Sequence, residues 1–191
     1  MIPNGIDLRV FTPKTADIKA RYGIEGRYLL LGVAYAWDNK KGLDVFVELQ
    51  KRLGDAYRIL LVGTDEQVEK RLPPEIICVR RTDSQEALAE LYSGADLFVN
   101  PTREDNLPTV NMEALACGTP VLTFQTGGSP EVMDKTCGMV VPCNDVDAME
   151  REIRDICERD RFSINACVKR ANAFEQNISI QRYLELYRSK R

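Results

Sequence analysis

Apolar residues in this chain come in short, nearly continuous runs, separated by longer stretches where they recur every three or four positions. Runs at 28–33, 58–62, 76–79, 96–99, 121–124 and 138–141 have strand length. They carry too few polar positions for a sheet with one wet face, so they predict strands covered on both sides. The stretches between them have helical spacing. Gly42 opens a helix with Leu43, Phe46, Val47, Leu49 and Leu53 on one face, and Gly54 closes it. Residues 64–72 form a short charged helix or turn halted by Pro73-Pro74, and Ser84 caps a helix over 85–92. Asn100-Pro101 ends the fourth run. Pro108 suits the first turn of a helix carrying Val110, Met112, Ala114, Leu115 and Ala116, with Gly118 as its C-cap candidate. Asn144 with Asp147 resembles a capped start for a helix bearing Met149, Ile153 and Ile156, and further helices are predicted over 163–174 and 179–188.

Alternating strands and helices of this kind predict an α/β fold: a single doubly wound parallel sheet of about six strands with C-terminal helices. Residues 1–13, with Pro3, Asn4-Gly5 and Pro13, read as an irregular lead-in, 14–177 as the domain and 178–191 as a terminal helix. At 191 residues, one such domain accounts for the chain.

Composition narrows the function classes. A net charge of −3 argues against a partner held by many nucleic-acid phosphates, although one nucleotide needs only a local basic pocket. No apolar run approaches the ~18 residues of a membrane span, and no secretory signal pattern is present. Of six cysteines, none in a C-x-x-C pair, most read as small buried hydrophobes in a reducing cytoplasm. The absence of histidine removes histidine-based general bases and metal sites from this chain.

The candidate chemistry lies in loops that follow strands, where doubly wound sheets bind ligands. Lys40 and Lys41 precede a helix N-terminus, where lysine and backbone N–H groups favour a phosphate; solvated lysines beside a glycine are the equal alternative. The loop is not a G-x-G-x-x-G fingerprint. Glu113, early in a helix of small and apolar neighbours, is either a solvent-facing carboxylate at the helix dipole or an acceptor for paired hydroxyls such as a ribose diol. Glu104 and Asp105 taken singly read as a solvated turn, Gly127-Gly128 as a turn that also permits close backbone approach, and Trp37 as packing. Arg80 and Arg81 lie at the same sheet edge, and no D-x-D metal motif is present near these loops.

The order and spacing of ED-N-LP-x5-EALACGTPV-x6-GG-x-PE, from Glu104 to Glu131, resembles the donor-site signature of family 4 (group 1) retaining glycosyltransferases with the GT-B fold. MIPNGID at the start resembles that family's interdomain linker, and GVAYAWDNKKGLD the first loop of its C-terminal domain. The resemblance covers essentially the whole chain and only the C-terminal half of such an enzyme. It implies a Rossmann-like half of a GT-B fold, a nucleoside diphosphate hexose as donor, and no cofactor or metal. It implies that Lys41 contacts the donor diphosphate, that Glu113 contacts the ribose, and that Asp105 contacts hydroxyls of the donor sugar. Asp105 keeps the spacing of the family's E-x7-E pair and Glu104 keeps the residue type, so both are catalytic candidates. Asn106 and Leu107 would offer backbone N–H groups, Gly127 and Gly128 close approach, and Arg81 contacts to the base. The family's usual arginine after the glycine of the first loop is Val33 here, with Arg80, Arg81 or Arg103 as substitutes.

The expected function is therefore the donor-binding half of a hexosyltransferase acting on a glycan or lipid-linked sugar, in surface polysaccharide synthesis. Its partners would be a nucleotide sugar and an N-terminal acceptor domain, with no nucleic acid and no integral membrane segment. Its place would be the cytoplasm or, through that other domain, the periphery of the inner membrane. The rivals are half of a GT-B sugar-nucleotide epimerase, a non-catalytic flavodoxin-like interaction domain and a nucleotide-sugar sensor.

Overall fold

Leu29, Leu30 and Leu31 lose all contact with solvent because their strand lies inside the sheet, with a packed layer on each face. The computed structural model describes residues 4–188. The elements run α1 (Ile18–Arg21), β1 (Tyr28–Val33), α2 (Leu43–Leu53), β2 (Tyr57–Val62), α3 (Glu66–Glu69), β3 (Ile77–Val79), α4 (Gln85–Gly94) and β4 (Leu97–Asn100). They continue α5 (Thr109–Ala116), β5 (Val121–Phe124), α6 (Ser129–Val132), β6 (Gly138–Val141), α7 (Val146–Glu158), α8 (Ile164–Ala171) and α9 (Gln176–Arg188). The sheet has six strands in the order β3-β2-β1-β4-β5-β6, every neighbour parallel, as the unbroken apolar runs predict.

Side chains alternate across the strands and sort into two cores. Leu29, Leu31, Leu60, Phe98 and Val121 face α1, α4, α5, α6 and α8, where Ile18, Tyr92, Met112, Leu115, Val132 and Cys167 pack. Leu30, Ile59, Leu61, Val99 and Phe124 face α2, α3 and α7, where Phe46, Leu49, Val68, Met149 and Ile153 pack. The lead-in is tied down. Ile6 exchanges hydrogen bonds with the turn before α9, Ile6 N–H donating to Phe174 C=O (2.8 Å) and Gln176 N–H to Ile6 C=O (3.0 Å), and Phe11 is buried in the first core. Residues 1–3 of the lead-in and 189–191 of the expected terminal helix lie outside the described residues.

Several expectations need correction. Asp145 caps α7, accepting from Ala148 N–H at 2.8 Å, whereas Asn144 sits in a left-handed conformation with φ 67°. The helix expected over 163–174 ends at Ala171 and closes with a 3-10 turn, and the last helix opens at Gln176. The short helix α1 has no long periodic pattern to announce it; its start is Asp17, which accepts from Ala20 N–H at 3.0 Å.

Gly42 caps α2 in a left-handed conformation (φ 75°), and a Cβ there would collide with the carbonyl and ring of Pro101, just past β4. Gly42→Ala should lower stability by about 2 kcal/mol or more, from backbone strain plus overpacking. Urea denaturation should show a lower midpoint with an unchanged slope. An unchanged midpoint would mean that the two loops are free to separate.

Candidate functional site

β1 and β4 are neighbours, yet from β1 the chain leaves toward β2 and from β4 toward β5. At such a switch point the loops beyond the carboxyl ends of the strands splay apart and leave a crevice. Here those loops are 34–42 and 101–108, and a dense set of contacts holds them together. Besides the Gly42–Pro101 contact, Arg103 N–H donates to Lys40 C=O at 2.8 Å. The Arg103 guanidinium makes two 2.8 Å bonds to the Asp44 carboxylate at the start of α2, and it also donates to Asn144 Oδ1 (2.6 Å) and to Asn39 C=O. This pairing holds the Asp44 carboxyl below its ordinary range. The loop after β5 closes on the same structure: Thr126 Oγ1 donates to Thr102 C=O at 2.7 Å. A Cβ on Gly127 or Gly128 would strike the carbonyl of Asp105 or Asn106 respectively. The close approach that these glycines permit is thus to the acidic loop, and Gly127 also needs its positive φ of 47°.

Two ion pairs span the switch point. Lys41 Nζ lies 2.9 Å from Asp105 Oδ2, with side chains 37% and 22% exposed. Lys40 Nζ lies 2.8 Å from Glu104 Oε2, with side chains 66% and 67% exposed. The outer pair is in water and contributes little; the inner pair is the more shielded of the two. Trp37 packs, as expected: its ring meets Phe46 edge-to-face at 5.4 Å and its Nε1 donates to Val62 C=O at 2.9 Å.

Glu113 is neither at the helix end nor turned to solvent. It is the fifth residue of α5, and its Oε2 accepts from the buried Tyr92 hydroxyl at 3.0 Å. Burial raises its pKa above the ordinary 4.5, an effect that hydrogen bonds from Tyr92 and Thr109 oppose. Burial first, and then the Glu113 charge, push the Tyr92 hydroxyl well above 10.0. Beneath the loops lies a polar network inside the core: Asn100 Nδ2 donates to Asn111 Oδ1 and Thr123 Oγ1 to Asn100 C=O, both at 2.8 Å. Asn111 Nδ2 and Ser129 Oγ are buried without a hydrogen-bond partner among the described residues.

Of the three arginines offered as substitutes for the one absent at Val33, two are committed. Arg80 forks onto Glu69 (2.7 and 3.0 Å) and Arg103 onto Asp44. Arg81 is exposed and pairs with no described residue. Asn106 is exposed and Leu107 packs against the first core. The structure therefore brings Lys41, Glu104, Asp105, Asn106, Gly127 and Gly128 into one seam. It places Arg81 on the β3–α4 loop and Glu113 one helix turn into α5. Sequence reasoning passed over Tyr92, Asn111 and Ser129. The one signal for Asn111 is an amide between the apolar Val110 and Met112 of α5. A cavity of about 240 Å³ lies at the opposite, amino-terminal edge of the sheet, lined by Lys14, Asp96, Cys117, Cys157 and Phe162 among others, and contains none of these site residues.

Residues 27–159 match the family described as glycosyl transferases group 1. Over 96% of its length the chain is 27% identical to a D-inositol 3-phosphate glycosyltransferase of Mycobacteroides abscessus, covering 44% of that protein. Over 81% it is 29% identical to a GDP-mannose-dependent alpha-(1-6)-phosphatidylinositol monomannoside mannosyltransferase of Mycolicibacterium smegmatis, covering 46%. The solved structure of sucrose-phosphate synthase from Thermosynechococcus elongatus superposes with a TM-score of 0.83 at 27% identity, over 98% of this chain and 51% of that one. The chain thus spans about half the length of the relatives it matches.

Buried Glu113 has a consequence for stability. Its folded pKa lies above the unfolded value, so the folded state holds the proton more tightly. The resulting stabilisation is complete below about 4.5 and is lost as pH rises through the raised value. Glu113→Gln, which does not ionise, should therefore melt higher than the native chain at pH 7, with the gap shrinking toward pH 4. A melting-temperature series that gives the same gap at both pH values would show that the carboxylate is not strained by burial.

Proposed function

We propose that this chain, which belongs to the glycosyl transferases group 1 family, forms the donor-binding half of a retaining, metal-independent glycosyltransferase. The enzyme would move a hexose from a nucleoside diphosphate sugar to a glycan or lipid-linked sugar acceptor in surface polysaccharide assembly. The observation that carries this reading is the Lys41–Asp105 pair, 2.9 Å apart across the switch point: a cation for the diphosphate beside an acceptor for sugar hydroxyls. Lys41 and the backbone N–H groups of Asn106 and Leu107 would stabilise charge on the leaving diphosphate. Glu113, oriented by Tyr92, would accept from the ribose hydroxyls, and Arg81, without a partner among the described residues, would reach the base. Asp105, with Glu104 outside it, would hold the hexose while the acceptor approaches.

The names of the relatives, an inositol phosphate glycosyltransferase and a phosphatidylinositol mannoside mannosyltransferase, support a polyol or lipid-linked acceptor. We assign the acceptor site to a second domain. The half-length match to relatives supports this, as does an exposed stripe on α9 formed by Ile180, Tyr183, Leu184 and Tyr187, at a spacing that lines one helix face. Free cysteines support a reducing, cytoplasmic setting. Among the described residues no helix is long and apolar enough to cross a membrane.

Calorimetry with Lys41→Ala tests the site. The variant should lose ~1.5–3 kcal/mol of affinity for a nucleoside diphosphate and almost none for the bare nucleoside. Equal losses for both would assign Lys41 to folding and remove it from the phosphate site. A second measurement bears on Glu113. Glu113→Gln should weaken both ligands by about 2 kcal/mol through the ribose that they share. Unchanged affinity would take Glu113 out of the site.

A further inference from the structure

Asp105 faces Lys41 from a backbone that has no room to withdraw. Its carbonyl is packed against Gly127, and the next carbonyl, of Asn106, against Gly128; a Cβ on either glycine would clash. Upstream, Thr102 Oγ1 donates to Glu104 C=O at 3.0 Å and Thr126 Oγ1 to Thr102 C=O at 2.7 Å. On the other side of the crevice, Lys41 follows Lys40, whose carbonyl is held by Arg103 N–H at 2.8 Å. Asp105 is the only described hydrogen-bond partner of the Lys41 ammonium, at 2.9 Å, and the Asp105 carboxylate has no other described partner. Any diphosphate that reaches Lys41 therefore meets a negative charge held beside it.

From this arrangement we infer that Asp105 is a specificity residue that discriminates the nucleotide sugar from the free nucleoside diphosphate, and so drives the product out of the site. The inference rests on the donor-site reading above. In a nucleotide sugar the terminal phosphate is esterified and its hexose offers hydroxyls that can donate to Asp105. After transfer, that phosphate has lost its sugar ester and is the free end of the diphosphate, with a second ionisation near pH 6, so at neutral pH it carries an additional negative charge. The product both lacks the hydroxyl donors and places more charge against the carboxylate. Lys41 then returns to Asp105, which restores the pair seen in the structure. The outer pair of Lys40 with Glu104 is too exposed to make the same distinction.

Dissociation constants of UDP, GDP and ADP, each beside UDP-glucose, GDP-mannose and ADP-glucose, test this by calorimetry at pH 7.5. The native chain should prefer the sugar-bearing member of whichever pair it binds. Asp105→Asn should tighten the free diphosphate by about two- to fivefold, the size of a half-exposed charge coupling, and weaken the nucleotide sugar. The gain should be smaller when Asp105→Asn is made on a Lys41→Ala background, where no ammonium holds the phosphate beside the carboxylate. Measured at pH 5.5, where the terminal phosphate loses part of its extra charge, the effect of Asp105→Asn on the diphosphate should shrink. If Asp105→Asn weakens both ligands alike, or leaves the diphosphate unchanged at pH 7.5, the inference is overturned and Asp105 is only a structural or sugar-binding residue. If the native chain binds no member of any pair, the donor-site reading fails and takes this inference with it.

Discussion

Everything at the carboxyl edge of the sheet depends on the contact between Gly42 and Pro101. The loops after β1 and β4 leave their strands in opposite directions and would separate if either carried ordinary side chains at the point of approach. A glycine with positive φ lets the start of α2 sit directly on the Pro101 carbonyl. Arg103 then secures the contact with bonds to Asp44, Asn39, Lys40 and Asn144. Only with the loops at this separation do Lys40 and Lys41 reach Glu104 and Asp105. The Arg103 guanidinium, a candidate for the missing phosphate contact on sequence grounds, acts here as the fastener between the two loops.

The site departs from what stability alone would select. Lys41 and Asp105 spend a shielded ion pair on a position where a ligand would compete for it. Glu113 is buried with a raised pKa, against the usual pattern of carboxylates whose folded environment favours ionisation. Asn111 Nδ2 and Ser129 Oγ lie buried and unpaired a short distance along the chain from the same loops. Groups of this kind are often found at functional sites, although Gln50 Oε1 on α2, which is not among the candidate site residues, is likewise unpaired among the described residues. By contrast, the cavity at the amino-terminal edge is lined by Cys117 and Cys157, whose thiols burial pushes up to about 12, and they are correspondingly inert.

Strands were legible because a two-sided sheet demands continuous apolar runs, and 28–33, 121–124 and 138–141 match the observed strands residue for residue. Helix starts were legible where a single side chain does the capping, as with Ser84; Ser163, read as the first residue of its helix, is instead the cap of α8. They were misread where two candidates adjoin: Asn144 is turned away by its own backbone toward Arg103, which leaves Asp145 to cap α7. At the site, the residue types could be read from the family resemblance, but the pairing could not. That Lys41 meets Asp105, or that Arg80 is consumed by Glu69, depends on contacts 64 and 11 residues apart in sequence. Tyr92 gave no signal because its ring belongs to the core and only its hydroxyl serves Glu113.

We place the nucleotide sugar at the β1–β4 switch point. Backbone amide shift mapping by NMR during a titration with a nucleotide sugar that the chain binds tests it most directly. Shifts should concentrate in residues 38–42, 103–107 and 125–129 and extend to Glu113 and Tyr92. Shifts centred on Lys14, Asp96, Cys117 and Phe162 at the amino-terminal edge, with the switch-point loops unmoved, would contradict it.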